Sequence, residues 1–206
     1  MNIKRLKQII EYIYIRLFKL HKSRGIYIYK PTMYYIDKSA KININNKFLF
    51  NSQWDNIRKI KNIIPGQLYI GEGSELNVDT FNVFAGSRVT INNNAKLSLG
   101  TGYINHNCVI ECFNSITIKN NVKISEGVTI RDSDNHTILR EGYKKDGPIV
   151  IEDDVWIGLN CTILKGVTIG KGCIIAAGTL VNKDCPPYTL IAGVPGKVIK
   201  ENIKYV

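Results

Sequence analysis

The chain is short of the residues that build disulfide frameworks and metal sites. Its five cysteines are an odd number and include no C-x-x-C pair, so neither a disulfide framework nor a zinc knuckle is predicted. Three histidines in 206 residues leave few candidates for a metal ligand or a general base. We therefore predict a protein of the reducing cytoplasm.

Acidic residues are also scarce. The chain has 17 Asp and Glu against 28 Lys and Arg, which gives a formal net charge of +11. A positive balance favours anionic partners: nucleic acid, a membrane surface or phosphorylated small molecules. The lysines are scattered and no motif for DNA or RNA accompanies them, so we expect no nucleic-acid partner.

Residues 1–25 differ in pattern from the rest. Aliphatic residues alternate spacings of three and four from Ile3 to Leu20, which predicts one amphipathic helix with a basic remainder, ending near Gly25. Charges interrupt every apolar stretch, which argues against a signal peptide and a membrane span. Two interpretations stay open. The helix packs on the protein or on a neighbouring subunit, or residues 1–24 lie on the anionic inner face of the plasma membrane.

The most regular feature of the chain is a period of six. Aliphatic residues occur every sixth position at Ile151, Ile157, Ile163, Ile169, Ile175 and Val181. Neither an α-helix nor an ordinary strand has this period, and it predicts a parallel β-helix with three such units per coil. The residues expected to point inward at its corners are Val155, Cys161, Val167, Cys173 and Thr179. Gly166, Gly172 and Gly178 are expected at tight corners with positive φ.

The repeat continues upstream and is interrupted once. Apolar pairs separated by one residue recur from Leu68/Ile70 to Val128/Ile130, and the next pair of this kind is Ile149/Ile151. The polar segment between them predicts a loop extruded from the coil, and long loops on regular scaffolds often carry function. The predicted segments are a helix (1–25), a cap with short strands (26–66), a β-helix (67–195) with the extruded loop (131–149), and a C-terminal tail (196–206).

Histidine suits proton transfer near neutral pH, and each of the three has a different setting. His136 lies in the predicted loop beside Asp132 and Asp134, whose carboxylates are expected to orient the imidazole and raise its basicity. On its surroundings alone, it is as well explained as a solvated side chain. His106 follows an asparagine in a turn-like segment, where its role is structural or next to a site. His21 has a surface or capping role.

The segment from Tyr103 to Val198 resembles the hexapeptide-repeat acyltransferases, in particular the sugar O-acetyltransferases such as the galactoside and maltose enzymes. The matching strings are YINHNCVI (103–110), ITIKNNVKISEGVTI (116–130), DNH (134–136), IEDDVWIGLNCTILKGVTIGKG (151–172), AAGTLVNKDCPP (176–187) and AGVPGKVIK (192–200). The segment that contains them spans nearly half of the chain, and the strings are specific for the superfamily but weak for the substrate. The resemblance implies a mainly β protein, a left-handed parallel β-helix, that assembles as a homotrimer.

The resemblance also implies roles for individual residues on the acceptor side. His136 matches the family's general base. Asn105 matches the asparagine that contacts the acceptor sugar, and Trp156 matches a tryptophan that lines the cleft between subunits. We add Asp134, next to the base, to the acceptor-binding set. For Trp156, packing against a neighbour stays an alternative.

The implied donor is acetyl-CoA, and no metal is required. Its pantetheine arm is expected to lie along the small residues Gly158, Ala176 and Ala177, where an extended ligand can approach the backbone. Lys183 and Lys197 are expected to meet the CoA phosphates as flexible point charges. An exposed surface charge explains either lysine equally well.

The predicted function is therefore acetyl-CoA-dependent O-acetylation of a sugar hydroxyl in a precursor of a surface polysaccharide, such as a capsule or an O-antigen. His136 takes the hydroxyl proton in a ternary complex. Alternatives with the same fold are an N-acetyltransferase of a nucleotide-linked amino sugar and an acetyltransferase of serine or a xenobiotic. A γ-type carbonic anhydrase is disfavoured, because it needs three histidines for each zinc ion. A non-catalytic scaffold is the remaining alternative.

Overall fold

The computed structural model describes residues 25–29, 31–52 and 64–205. The predicted N-terminal helix and His21 lie outside the described residues. The described part contains no helix with the length and hydropathy needed to cross a membrane.

The strands of the described residues wind around the three faces of a prism. Face 1 is formed by β2 (Thr32–Ile36), β4 (Gly66–Ile70), β6 (Arg88–Ile91), β8 (Val109–Cys112), β11 (Thr129–Arg131), β14 (Thr162–Leu164) and β17 (Leu180–Val181). Face 2 contains β9 (Ser115–Ile118), β12 (Ile149–Ile151) and β15 (Thr168–Ile169). Face 3 contains β1 (Ile26–Ile28), β10 (Val122–Ile124), β13 (Trp156–Ile157), β16 (Ile174–Ile175) and β18 (Leu190–Ala192). Each coil visits face 1, then face 2, then face 3.

Three long strands bend from face 2 onto face 3 in the earlier coils. They are β3 (Lys41–Ser52), β5 (Glu75–Phe84) and β7 (Lys96–Ile104). The first half of β7 pairs with β9 on face 2, and its second half pairs with β10 on face 3. The last strand, β19 (Lys197–Lys200), runs antiparallel to β18, whereas the other pairs of described strands are parallel.

The period of six arises because each unit places one aliphatic side chain in the interior. The six aliphatic residues of the repeat are at most 2% exposed. Residues three units apart stack in adjacent coils, as Ile151 does on Ile169 and Ile157 on Ile175. Full burial of one such side chain contributes about 1.5–3 kcal/mol, so this stack is the main source of stability. The parallel β-helix predicted from the period is confirmed.

The corners also follow the prediction. Val155, Cys161, Val167, Cys173 and Thr179 are all at most 1% exposed. Gly166, Gly172 and Gly178 have φ angles of 74°, 67° and 72°, in the left-handed region that a side chain disfavours. The coil is interrupted between β11 and β12, where residues 132–148 leave the prism and return. This loop and the corners of face 1 position the candidate site.

Candidate active site

Several of the predicted site residues lie on one edge of face 1. We call it the entry edge, because the chain passes there from face 3 to face 1. Asn105, Ser125, Gly158 and Ala176 occupy it in four consecutive coils, and the backbone N–H of each donates to a carbonyl of the next coil at 2.8–2.9 Å. Coils are spaced at about 4.8 Å, so the four residues form a column roughly 14 Å long. The structure thus aligns a predicted acceptor contact with two predicted donor contacts.

Glycine at position 158 has a packing reason. An added Cβ would lie 2.8 Å from the backbone N of Ala177 and 2.8 Å from the carbonyl oxygen of Ile175. Gly158 is itself buried, whereas Ala177 is exposed and Ala176 is half-buried. The surface that an extended ligand would touch on this edge therefore belongs to the alanines rather than to the glycine.

Trp156 lies on face 3, directly beside the entry edge. Its side chain is 41% exposed, and its Nε1–H donates to Ser125 Oγ at 3.3 Å. The ring of Tyr205, from the C-terminal tail, packs on the indole at a centroid distance of 5.8 Å, and Lys123 Nζ lies 4.9 Å from the Tyr205 ring centre. The tryptophan is thereby held in place with one part of its surface open to a ligand.

The entry edge also contains His106, next to Asn105. The Oδ1 atom of Asn105 accepts hydrogen bonds from the His106 backbone N–H at 2.8 Å and lies 2.7 Å from His106 Nδ1. The imidazole packs against the ring of Phe84 at 5.4 Å. Burial lowers the pKa of His106, and the charge of Glu126 opposes that change. The ring is therefore neutral at physiological pH.

His136 lies at the opposite border of face 1, which we call the exit edge because the chain passes there to face 2. Asp132 fixes the start of its loop. The fully buried carboxylate of Asp132 accepts the backbone N–H groups of Phe113 at 2.7 Å and Asn114 at 2.8 Å. Burial raises the pKa of this carboxyl against the effect of these bonds. The Asp132 carbonyl also accepts the N–H of Gly147 at 3.0 Å, so the two ends of the loop are joined.

A group of three side chains, which we call the loop clamp, holds the middle of the loop. Lys165 Nζ is 2.7 Å from Asp134 Oδ2, and the Tyr143 hydroxyl donates to the same oxygen at 2.6 Å. The hydroxyl is also 3.1 Å from the main-chain oxygen of His136, and Lys165 Nζ lies 4.2 Å from the Tyr143 ring centre. The bonds from Lys165 and Tyr143 lower the pKa of Asp134. The clamp ties the backbone at His136 to the next coil, where Lys165 follows β14.

The His136 side chain is exposed, and its surroundings differ from the sequence expectation in one respect. Asp132 binds backbone N–H groups, and Asp134 binds Lys165 and Tyr143. Neither carboxylate contacts the imidazole, so the expected orientation of the ring by these two groups is wrong for this structure. Asp134 acts on the loop backbone instead. Its predicted contact with an acceptor stays a prediction.

The two lysines predicted to bind CoA phosphates are not close together. Lys183 follows β17 and is exposed at the exit edge, above the loop of His136. Lys197 is exposed at the start of β19, which pairs with β18 at the end of face 3. The two lysines therefore stand at different borders of the prism.

Within one chain, the two halves of the candidate site lie at opposite edges of face 1. The strands of face 1 rise about 3.3 Å per residue, so four residues place roughly 13 Å between its entry and exit edges. His136 is at one edge, and Asn105, Ala176 and Ala177 are at the other. The two sets of residues therefore lie at opposite edges of face 1 within one chain.

Other catalytic groups are scarce in the described residues. All five cysteines are buried and free, and burial raises the pKa of the Cys108 and Cys185 thiols to about 12. Such thiols are poor nucleophiles, because the thiolate is the reactive form. The described residues contain no cluster of three or more His, Cys, Asp or Glu that is suited to a metal ion.

Comparison with known proteins identifies relatives over most of the chain. A family model described as the hexapeptide repeat of succinyl-transferase matches residues 148–183. Over 182 residues the chain is 31% identical to a candidate acetyltransferase of Schizosaccharomyces pombe, with 84% of this chain and 87% of that protein covered. Over 124 residues it is 40% identical to the polysialic acid O-acetyltransferase of Escherichia coli O1:K1 / APEC, with 57% of this chain and 38% of that protein covered.

The chain is also similar to a solved structure. The crystal structure of a hexapeptide-repeat-containing acetyltransferase from Vibrio cholerae matches with a TM-score of 0.52 at 32% identity, covering 65% of this chain and 73% of that one. The left-handed form of the β-helix, which the family resemblance implies, agrees with these neighbours.

Proposed function

The chain belongs to the hexapeptide-repeat acetyltransferases, and from that membership we propose that it transfers the acetyl group of acetyl-CoA to a sugar hydroxyl. The proposed acceptor is a precursor of a surface polysaccharide. The relative that acts on polysialic acid supports a carbohydrate acceptor, although the chain spans less than two-fifths of that protein. The observation that carries the proposal is the placement of two sets of residues on face 1. His136 lies at its exit edge, and the column that contains Asn105, Gly158 and Ala176 lies at its entry edge.

The entry edge is the proposed donor and acceptor surface. Ala176 and Ala177 offer short side chains in a column that continues to Asn105, and an extended pantetheine arm fits against such a surface. Trp156 presents an aromatic face beside it. Lys183 and Lys197 are exposed cations that are free to move toward phosphates, and because they stand at different borders, we assign them to CoA molecules in different clefts.

The exit edge supplies the proposed base. His136 takes the proton of the acceptor hydroxyl while the oxygen attacks the thioester carbonyl of acetyl-CoA. A backbone N–H near the entry edge, other than the four that donate to the next coil, stabilises the oxyanion of the tetrahedral intermediate, and the C–S bond then breaks to release CoA as its thiol. The proton taken by His136 goes to the leaving sulfur. The reaction needs no covalent intermediate on the protein, because both substrates are held together.

Because the base and the acceptor surface lie at different edges, we propose that each site forms between two copies. The exit edge of one copy contributes His136, and the entry edge of its neighbour contributes Asn105, Trp156 and the alanines. A homotrimer, as the sequence resemblance implies, would close three such sites with cyclic symmetry.

The test is turnover by a His136→Ala variant, measured as release of free CoA thiol from acetyl-CoA. The acceptor panel contains sugars, nucleotide-linked sugars, oligosaccharides, serine and chloramphenicol, so that each alternative acceptor class is represented. We expect loss of turnover by at least about a hundredfold, typical for removal of a general base, with acetyl-CoA affinity nearly unchanged. Glu141→Ala is the matched control, because Glu141 is an exposed residue of the same loop. Unchanged turnover in His136→Ala would refute the role of His136.

A further inference from the structure

His106 and Asn105 form a hydrogen-bonded pair, and the backbone N–H of His106 shows which end of the Asn105 side chain accepts. Asn105 Oδ1 and Nδ2 are distinguished because the His106 main-chain N–H, which can only donate, points at the side-chain oxygen from 2.8 Å. If the amide were turned over, two donors would face each other. The oxygen is thus directed at His106, and the Nδ2 group is directed away from it.

The same oxygen defines the tautomer of His106. Nδ1 lies 2.7 Å from Asn105 Oδ1, which accepts hydrogen bonds and cannot donate them. Nδ1 therefore carries the proton, since two lone pairs would otherwise face each other. Nε2 is buried and has no hydrogen-bond partner within the described part of the chain. A proton on that nitrogen would be buried without an acceptor, which agrees with the lowered pKa.

The surroundings keep the imidazole in this orientation. The ring packs against the buried Phe84 at 5.4 Å, and the His106 carbonyl accepts the N–H of Gly127 at 3.1 Å from the next coil. Both the ring and the backbone of His106 are therefore fixed while they hold Asn105 Oδ1. A free asparagine rotates its amide by half a turn between two nearly equivalent states. In this pair, His106 selects the state in which Asn105 Oδ1 faces it.

We propose that His106 is a positioning residue that locks the Asn105 carboxamide, so that its NH₂ group faces the acceptor as a hydrogen-bond donor. The locked amide selects an acceptor that presents an oxygen lone pair, such as a sugar hydroxyl or ring oxygen. It disfavours an acceptor that presents an ammonium or another donor at that place. The role requires Asn105 to contact the acceptor, and it therefore rests on the proposed function.

Three substitutions of His106 separate the hydrogen bond from packing. His106→Asn keeps a donor near the position of Nδ1, His106→Gln moves the donor to the position of Nε2, and His106→Phe keeps a ring against Phe84 without any donor. We expect His106→Phe and His106→Gln to raise the acceptor KM about tenfold, which matches the loss of one hydrogen bond. The acetyl-CoA KM is expected to stay the same, and His106→Asn is expected to stay within about threefold of the wild type.

A second readout does not depend on activity. In ¹⁵N-labelled wild-type protein, long-range ¹H–¹⁵N spectra distinguish a protonated Nδ1 from a protonated Nε2, and His106→Phe identifies the signals of His106. We expect Nδ1 protonated and Nε2 bare near neutral pH. If His106→Phe fails to fold, His106→Asn identifies the same signals by their loss.

The outcomes separate this role from the proposed function. A protonated Nε2, equal acceptor KM values for His106→Phe and the wild type, or a His106→Asn variant as impaired as His106→Phe would each overturn the role. An Nδ1-protonated ring in a wild-type protein that transfers no acetyl group to any acceptor would overturn the proposed function instead.

Discussion

Removal of the Tyr143 hydroxyl tests how the loop clamp acts on His136. In Tyr143→Phe, the 2.6 Å bond to Asp134 and the 3.1 Å contact with the His136 carbonyl are lost, while the ring stays beside Lys165. Both Asp134 and the Tyr143 hydroxyl are exposed to solvent, so screening leaves only part of the strength of a hydrogen bond to a charged group. We expect the ratio of ordered to open loop to fall about fivefold.

The assay combines kinetics with hydrogen exchange. We expect about fivefold faster exchange in a peptide covering residues 132–147, and we expect kcat to fall by up to about fivefold with the acetyl-CoA KM unchanged. The melting temperature is expected to stay within a few degrees, because the clamp lies outside the buried stack of the coil. Lys144→Ala is a control for the loss of a neighbouring side chain of the same loop that is not part of the clamp. Unchanged exchange together with unchanged kcat would refute the role of the clamp.

Two further predictions concern the clamp and the core. The Asp134–Lys165 pair lowers the pKa of Asp134, so its contribution is fully present above the ordinary Asp pKa of about 3.9 and is lost as the pH falls through the lower pKa of the folded state. Slow exchange of the loop should therefore persist to pH values below 3.9 in wild-type protein but not in Lys165→Met, and equal acid sensitivity of the two proteins would contradict the pairing. In the core, Ile157→Ala should lower the free energy of unfolding by about 2–5 kcal/mol in urea titrations, because Ile157 is fully buried between coils. A loss below about 1 kcal/mol would show that the coil collapses around the gap.

The β-helix could be predicted from the sequence because each of its turns is determined by residues that are close together along the chain. One aliphatic side chain every six residues and a glycine or slim residue at each corner determine where the chain turns. Ile157 and Gly166 could each be placed from their own neighbours along the chain. The extruded loop was equally visible, because the pattern stops after Ile130 and resumes at Ile149.

The loop clamp was not predictable in the same way. Tyr143 and Lys165 meet Asp134 only because the loop folds back over the next coil, and no period in the sequence encodes that path. The polar character of the loop indicated where it leaves the prism, but not which of its charges would be paired. The bonds of the Asp134 carboxylate to Lys165 and Tyr143 could therefore not be predicted, and its contact with an acceptor stays a prediction.

The pair of Asn105 and His106 is an intermediate case. Their adjacency is plain in the sequence, and the resemblance indicates the asparagine. The direction of the hydrogen bond depends on the backbone at the corner, which places the N–H of His106 on the side-chain oxygen. Sequence reasoning could name the two residues, but the direction of the hydrogen bond between them could be determined only from the three-dimensional structure.

The most direct measurement mixes two inactive chains. His136→Ala lacks the base of the exit edge, and Asn105→Ala lacks the proposed acceptor contact of the entry edge. If each site forms between the exit edge of one copy and the entry edge of another, random co-assembly of equal amounts gives about one quarter of the sites an intact His136 and an intact Asn105. The account predicts that co-expressed variants recover about one quarter of the wild-type turnover. Turnover that stays at the level of the single variants would contradict a site shared between copies.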